Sequence, residues 1–273
     1  MKTTYSFNHR EWGDRSKPPV LFLHGFLGCT DDWSDIATHI AADYRSVAVD
    51  LPGHGRTKVD GYDENYRMEN VATGVVRFMD SHDINKCDLV AYSMGGRVGL
   101  YLAVEYPQRF GRIILESASP GLITEKERRE RREHDRELAR QLEKNPLEQF
   151  LIQWYEQPLF ASLKRDRDRF SGWLSRRLEY TEDNPATRKG LATSLRMMGT
   201  GSQPSLWSRL SELPSCLLIV GQLDAKFRQI ANDMAATADQ LSVRVVENTG
   251  HNVHWEKPRD YARIVMEFLS TDR

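Results

Sequence analysis

Cysteine is scarce in this 273-residue chain, which has three: Cys29, Cys87 and Cys216. They lie far apart, are odd in number and form no CxxC pair. That pattern suits a reducing compartment and argues against a disulfide framework or a structural zinc site. Long apolar runs are missing too. Nowhere do the roughly 18 consecutive apolar residues of a membrane-spanning helix occur, and the opening MKTTYSFNHREW lacks the apolar core of a signal peptide. Neither sign of charge dominates. Lys plus Arg total 38 against 39 Asp plus Glu, a net charge of -1, without the basic excess of a nucleic-acid binder. No GxxxxGK[ST] phosphate loop and no spaced set of metal ligands is present. These absences together lead us to expect a soluble, cytoplasmic protein, either a monomer or a weak homo-oligomer. No cofactor, metal, nucleic-acid partner or membrane span is expected.

What is there is enough for a full core. The chain is 40% hydrophobic, and its length at roughly 150 residues per domain fits one large domain or a core with an insertion. Short apolar runs rich in Val, Leu and Ile predict strands at Val20–Leu23, Ser46–Asp50, Cys87–Tyr92, Arg112–Ser117, Cys216–Gly221 and Val243–Glu247. Helical patterns lie between them, at Trp33–Ala42, Met68–His82, Gly95–Tyr106, Gln229–Thr237 and Arg259–Ser270. Strand alternating with helix implies an α/β fold, with a mostly parallel sheet covered on both faces. Ligands of such sheets sit beyond the carboxyl ends of the strands.

Residues 122–208 break that rhythm. The segment EKERRERREHDRELARQLEK, Glu125 to Lys144, carries eight cations and seven acids. It reads as a solvated helix laced with i,i+4 ion pairs, and its few large aliphatics disfavour a coiled coil. Further on, Trp154 to Leu163 mixes aromatic and apolar residues in a way that suits a cavity wall. We expect 122–208 to be a helical cap inserted between core segments 1–121 and 209–273.

The chemistry concentrates at strand ends. Leu89-Val90-Ala91-Tyr92-Ser93-Met94-Gly95-Gly96-Arg97 runs a buried strand into Ser93 and then into a glycine-flanked helix. This is the form of a nucleophile elbow, G-x-S-x-G, with Ala91 in place of the first glycine. The alternative reading of Ser93 is a plain helix N-cap. His24-Gly25-Phe26-Leu27-Gly28 follows the first apolar strand, where a backbone N–H could complete an oxyanion hole with that of Met94. Asp224 follows the fifth strand and His251 the sixth, so Ser93, Asp224 and His251 stand in the chain order of a hydrolase triad. Asp50 reads as an orderer of its tight loop, and His24, His54 and His254 read as structural. Arg97, four residues past Ser93, lies about one helical turn on and can reach the same mouth.

These motifs resemble the α/β-hydrolase fold across nearly the whole chain. More narrowly, the chain resembles the family of 2-succinyl-6-hydroxy-2,4-cyclohexadiene-1-carboxylate synthases of menaquinone and phylloquinone biosynthesis. The resemblance rests on Tyr92–Arg97, Ser119–Leu122, Trp154–Phe160, Gly199–Leu206, Asp224–Phe227 and Gly250–His254. It implies a lyase that eliminates pyruvate from a succinyl-bearing cyclohexene tricarboxylate. His251 would accept the Ser93 proton, Ser93 would take a proton from the carbon beside the succinyl ketone, and Asp224 would steady the imidazolium. The enolate oxygen would rest on the backbone N–H groups of Phe26 and Met94. The resemblance also implies that Arg131 and Arg177 join Arg97 in gripping carboxylates, with Tyr92 and Trp154 adding contacts. Arginine suits that task through paired hydrogen bonds. The chain holds 28 Arg to 10 Lys, 13 of the arginines within 122–208, a skew that genome composition explains equally well. Two rival readings use the same residues: a carboxylesterase or thioesterase with Ser93 as acyl nucleophile, and a non-catalytic small-molecule receptor.

Overall fold

The computed structural model describes residues 4–271. The first half of the chain runs β1 (Tyr5–Ser6), β2 (His9–Trp12), β3 (Pro19–Leu23), α1 (Ser34–Ile40), β4 (Arg45–Val49), β5 (Lys58–Val59), α2 (Met68–Ser81), β6 (Cys87–Tyr92), α3 (Ser93–Glu105) and β7 (Phe110–Glu116). Four helices follow: α4 (Glu125–Lys144), α5 (Leu147–Tyr155), α6 (Arg167–Tyr180) and α7 (Pro185–Met198). The chain then resumes with β8 (Cys216–Gly221), α8 (Ala225–Ala235), β9 (Leu241–Val246), α9 (Val253–Glu256) and α10 (Pro258–Ser270).

Seven strands form one sheet in the order β2-β4-β3-β6-β7-β8-β9, and β1 pairs with β5 apart from it. Every neighbour in the large sheet is parallel except β2 on β4. Alternation along each strand divides the core in two. Leu21, Leu23, Leu89, Ala91, Leu218 and Val220 point to one face, where Val71 and Val75 of α2 and Val98 and Leu102 of α3 cover them. Val20, Phe22, Val90, Ile114 and Ile219 point to the other, under Ile36 and Ile40 of α1 and Tyr261 and Val265 of α10. Because both faces are buried, these strands read as continuous apolar runs. The edge strand β2, His-Arg-Glu-Trp, is half-exposed and shows no such run, so sequence patterning missed it. The predicted Gln229 start of the fifth helix is also late. Asp224 caps α8 by accepting from the Phe227 N–H at 3.2 Å, which starts the helix at Ala225.

Between β7 and β8 the described residues hold helices and no strand. Helix α4 opens on a capping box in which Thr124 and Glu127 bond reciprocally. The face it buries is narrow: Asp135, Ala139 and Leu142. Its internal ion pairs are Arg131–Asp135 at i,i+4, Arg128–Glu125 and Arg140–Glu137 at i,i+3, and Arg132–Glu125 across two turns at i,i+7. The helices share their own apolar cluster, with Leu142, Phe150, Tyr155, Trp173 and Leu195 among its members. Polar contacts tie them to the sheet domain. Tyr180 donates to Asp50 Oδ2 at 3.1 Å, Ser162 donates to Glu256 Oε1 at 3.0 Å, and Arg169 donates to the carbonyls of Trp255 and Glu256.

Candidate active site

Strand β6 delivers Ser93 in a strained turn. Its φ is +49°, a left-handed conformation that costs a non-glycine residue on the order of 1–3 kcal/mol and clusters at functional sites. The turn needs glycine at position 95: a methyl there would stand 2.4 Å from the carbonyl oxygens of Leu23 and His24. The strain and the close approach together lift the Ser93 hydroxyl out of the sheet edge and leave it half-buried.

Three elements converge on that hydroxyl. Ser93 Oγ lies 3.1 Å from His251 Nε2, and His251 Nδ1 lies 2.7 Å from Asp224 Oδ2. A carboxylate only accepts, so Nδ1 carries the proton toward Asp224 and Nε2 is free to take one from Ser93. His251 is buried against the rings of Phe227, Tyr92 and Phe160, with centroids at 4.5, 5.5 and 5.9 Å. Phe160 comes from the segment after α5, so the stretch between β7 and β8 closes over the imidazole. Asp224, His251 and Ser93 are thereby brought together from three strand exits, as the sequence suggested.

The three side chains open into a cavity of about 740 Å³, a size suited to a small organic ligand. Phe26, Met94, Arg97, Arg131 and Trp154 line it, as expected. The Met94 N–H sits in the first turn of α3, where backbone donors lack intrahelical acceptors, and Phe26 packs on Trp154 at 5.0 Å. Arg97 donates to the Met198 carbonyl and reaches Gln203 Oε1 at 3.5 Å. Burial, together with the like charge of Arg131, pushes its pKa down to about 10.

Two expected contacts fall elsewhere. Tyr92 is not among the cavity-lining residues. It follows the pleat to the opposite face of the sheet from Ala91 and is buried between the His251 and His254 rings. Arg177 is also absent from the cavity. It lines a separate crevice with Asp32, Trp173 and Trp255. There its Nη1 pairs with Asp32 at 2.8 Å and its guanidinium lies 4.6 Å from the Trp173 ring. Burial alone would lower its pKa, but Asp32, with Tyr155 and Cys29, holds it above the ordinary arginine value. Register along α6 turns Arg177 inward onto the buried Asp32 carboxylate.

Of the four residues expected to be structural, Asp50, His24 and His254 are bonded within the fold, whereas His54 Nε2 is buried with no hydrogen-bond partner among the described residues. Asp50 Oδ1 accepts from the Thr30 N–H, and Oδ2 accepts from Asn8, Tyr180 and the Arg56 N–H. His24 Nε2 accepts from the Leu51 N–H, and His254 pairs with Glu116 at 2.7 Å. Other residues at the cavity went unassigned in the sequence. Lys226, Glu130 and Phe227 line it, Gln203 supports Arg97 while donating to the Ser119 carbonyl at 3.0 Å, and Asp135 backs Arg131. The Arg-x-x-x-Asp spacing of 131 and 135 was the available signal for the last. Among the described residues no group of three or more His, Cys, Asp or Glu could hold a metal ion, and no helix is long and apolar enough to cross a membrane.

Known proteins with this architecture can now be compared. A family model described as the alpha/beta hydrolase fold matches residues 18–258. The chain is 36% identical over 263 residues to a Bacillus subtilis (strain 168) protein provisionally named 2-succinyl-6-hydroxy-2,4-cyclohexadiene-1-carboxylate synthase, spanning 95% of this chain and 93% of that one. It is 34% identical over 251 residues to the Escherichia coli O1:K1 / APEC protein of that name, spanning 90% and 91%. The solved structure of MenH from S. aureus superposes with a TM-score of 0.87 at 31% identity, covering 98% of each chain.

Proposed function

The chain belongs to the α/β-hydrolase fold family and, within it, to the 2-succinyl-6-hydroxy-2,4-cyclohexadiene-1-carboxylate synthases, and from that membership we propose how its residues perform the reaction. It is a carbon–oxygen lyase that eliminates pyruvate from 2-succinyl-5-enolpyruvyl-6-hydroxy-3-cyclohexene-1-carboxylate. His251 accepts the Ser93 proton while Ser93 Oγ takes the proton from the ring carbon beside the succinyl ketone. Asp224 holds the His251 tautomer and stabilises the imidazolium. Negative charge gathers on the ketone oxygen, where the Phe26 and Met94 N–H groups receive it. As that charge returns through the ring, the existing double bond shifts and the bond to the enolpyruvyl oxygen breaks. The leaving enolpyruvate takes up a proton and becomes pyruvate, and the ring is left as a diene.

Arg97 and Arg131 grip carboxylates of the substrate and Trp154 packs against it. The observation that carries this reading is the cavity wall: the Ser93–His251 pair faces a chamber that also presents Arg97 and Arg131. An acyl-transfer site has no need of two such cations, whereas a tricarboxylate ligand does. We assign 122–208 as the cap and 1–121 with 209–273 as the core. With Cys29, Cys87 and Cys216 all free and buried, the cytoplasm is the compartment we propose.

The test is a coupled assay of pyruvate release from the authentic substrate with purified protein alone. Wild-type protein is expected to turn over repeatedly and Ser93→Ala to lose roughly 10³-fold or more in kcat. Hydrolysis of simple esters without pyruvate release would instead select the esterase reading. Absence of turnover on both would select a receptor.

A further inference from the structure

Helix α4 presents charge to solvent along almost its whole length, yet one of its acids is sunk. Asp135 is 2% exposed, while the arginine four residues before it reaches the cavity. Asp135 Oδ1 accepts from Arg131 Nε at 2.8 Å. Oδ2 has no hydrogen-bond partner among the described residues. The carboxylate is wedged against the loop after α7: a methyl added to Gly199 would come within 2.3 Å of Oδ2. Gly199 and its neighbours Met198 and Thr200 themselves line the cavity. The last residue of α7, Met198, supplies the carbonyl that receives Arg97.

We propose that Asp135 is the positioning residue of the carboxylate clamp. It fixes Arg131 through Nε, so that both terminal nitrogens are left for the ligand, and it offsets the repulsion between Arg131 and Arg97. Asp135 acts through these arginines and touches no substrate. The inference rests on the substrate reading above, which supplies the carboxylates to be held.

The electrostatics favour a role other than folding. Burial raises the Asp135 pKa, and the opposing pull of Arg131, Arg97 and His134 does not bring it back to the ordinary carboxylate value. Its ionised form therefore opposes folding above that raised pKa, and protonation at lower pH relieves the penalty. A residue retained for stability alone would be served as well by an uncharged side chain. The orphan Oδ2 agrees, since a buried acceptor without a partner is itself unfavourable.

The experiment separates the layers by measuring binding of the tricarboxylate substrate to Ser93→Ala protein, in which turnover is stopped. Adding Asp135→Ala is expected to weaken binding roughly tenfold, the equivalent of one charge-assisted hydrogen bond misaligned. Adding Asp135→Asn is expected to cost less, because its amide oxygen still accepts from Nε. In an Arg131→Ala background the further change Asp135→Ala is expected to cost little, and the melting temperature of the Asn variant is expected to hold or rise. Unchanged affinity in Ser93→Ala/Asp135→Ala overturns the proposal while the substrate reading stands. An undiminished penalty in the Arg131→Ala background overturns it as well. If Ser93→Ala protein binds no tricarboxylate at all, the substrate reading fails and takes this inference with it.

Discussion

Two arginine–aspartate pairs in this molecule have the same length and opposite surroundings. Arg131 Nε and Arg177 Nη1 each stand 2.8 Å from a carboxylate oxygen, of Asp135 and Asp32 respectively. In the first pair the acid is buried at 2% side-chain exposure while the arginine keeps 35% and lines the cavity. In the second both partners are sealed, at 7% and 9%, and the guanidinium lies over Trp173. The second pair joins α6 to the turn just before α1. An ion pair is thus internal when both members lose water, and cavity-facing when only the acid does. Arg97 extends the contrast: its pKa is pushed down to about 10 by burial and by Arg131, while Asp32 holds Arg177 above its ordinary value. Charge in the cavity is held in a state that a ligand anion would relieve.

Breaking the sealed pair is expected to have the larger effect on the fold. Arg177→Met leaves Asp32 buried and uncompensated, so urea unfolding is expected to show a loss of about 3–5 kcal/mol. The KM of the protein that remains folded should change little. A large rise in KM with stability intact would return Arg177 to the substrate site. Arg97→Ala tests the open side, where kcat/KM is expected to drop by about 2–5 kcal/mol of transition-state binding with a smaller effect on unfolding. A finer version uses pH. Arg97 is a base with a depressed pKa, so it is charged well below pH 10 and loses its proton as pH rises through about 10. The KM of wild-type protein is therefore expected to climb on that limb, and the limb is expected to vanish in Arg97→Ala.

Legibility in the sequence follows the same division between local and distant causes. β3, β6 and β8 were readable because burial on both faces makes them continuously apolar. Ser93, Asp224 and His251 were readable because each stands just past a strand, beside glycine or in a cap that its own neighbours define. β2 was hidden by its half-exposed edge position. Asp135 was hidden among the charges of α4, since its spacing to Arg131 recurs at Arg129 and Glu133 and contact with Gly199 is what sets it apart. The placement of Arg177 outside the cavity was hidden for the converse reason: the carboxylate that captures it, Asp32, lies in a distant part of the sequence. The placement of Tyr92 was hidden by its position beside Ser93, because the pleat sends Ala91 and Tyr92 to opposite faces.

The central claim is that Ser93 moves a proton and forms no bond to carbon. Intact-protein mass spectrometry of samples quenched during turnover of the tricarboxylate, with pyruvate measured in parallel, tests it most directly. The expected result is pyruvate accumulating while the chain keeps its unmodified mass at every time point. A transient mass increase that maps to Ser93 and rises and falls with turnover would contradict it.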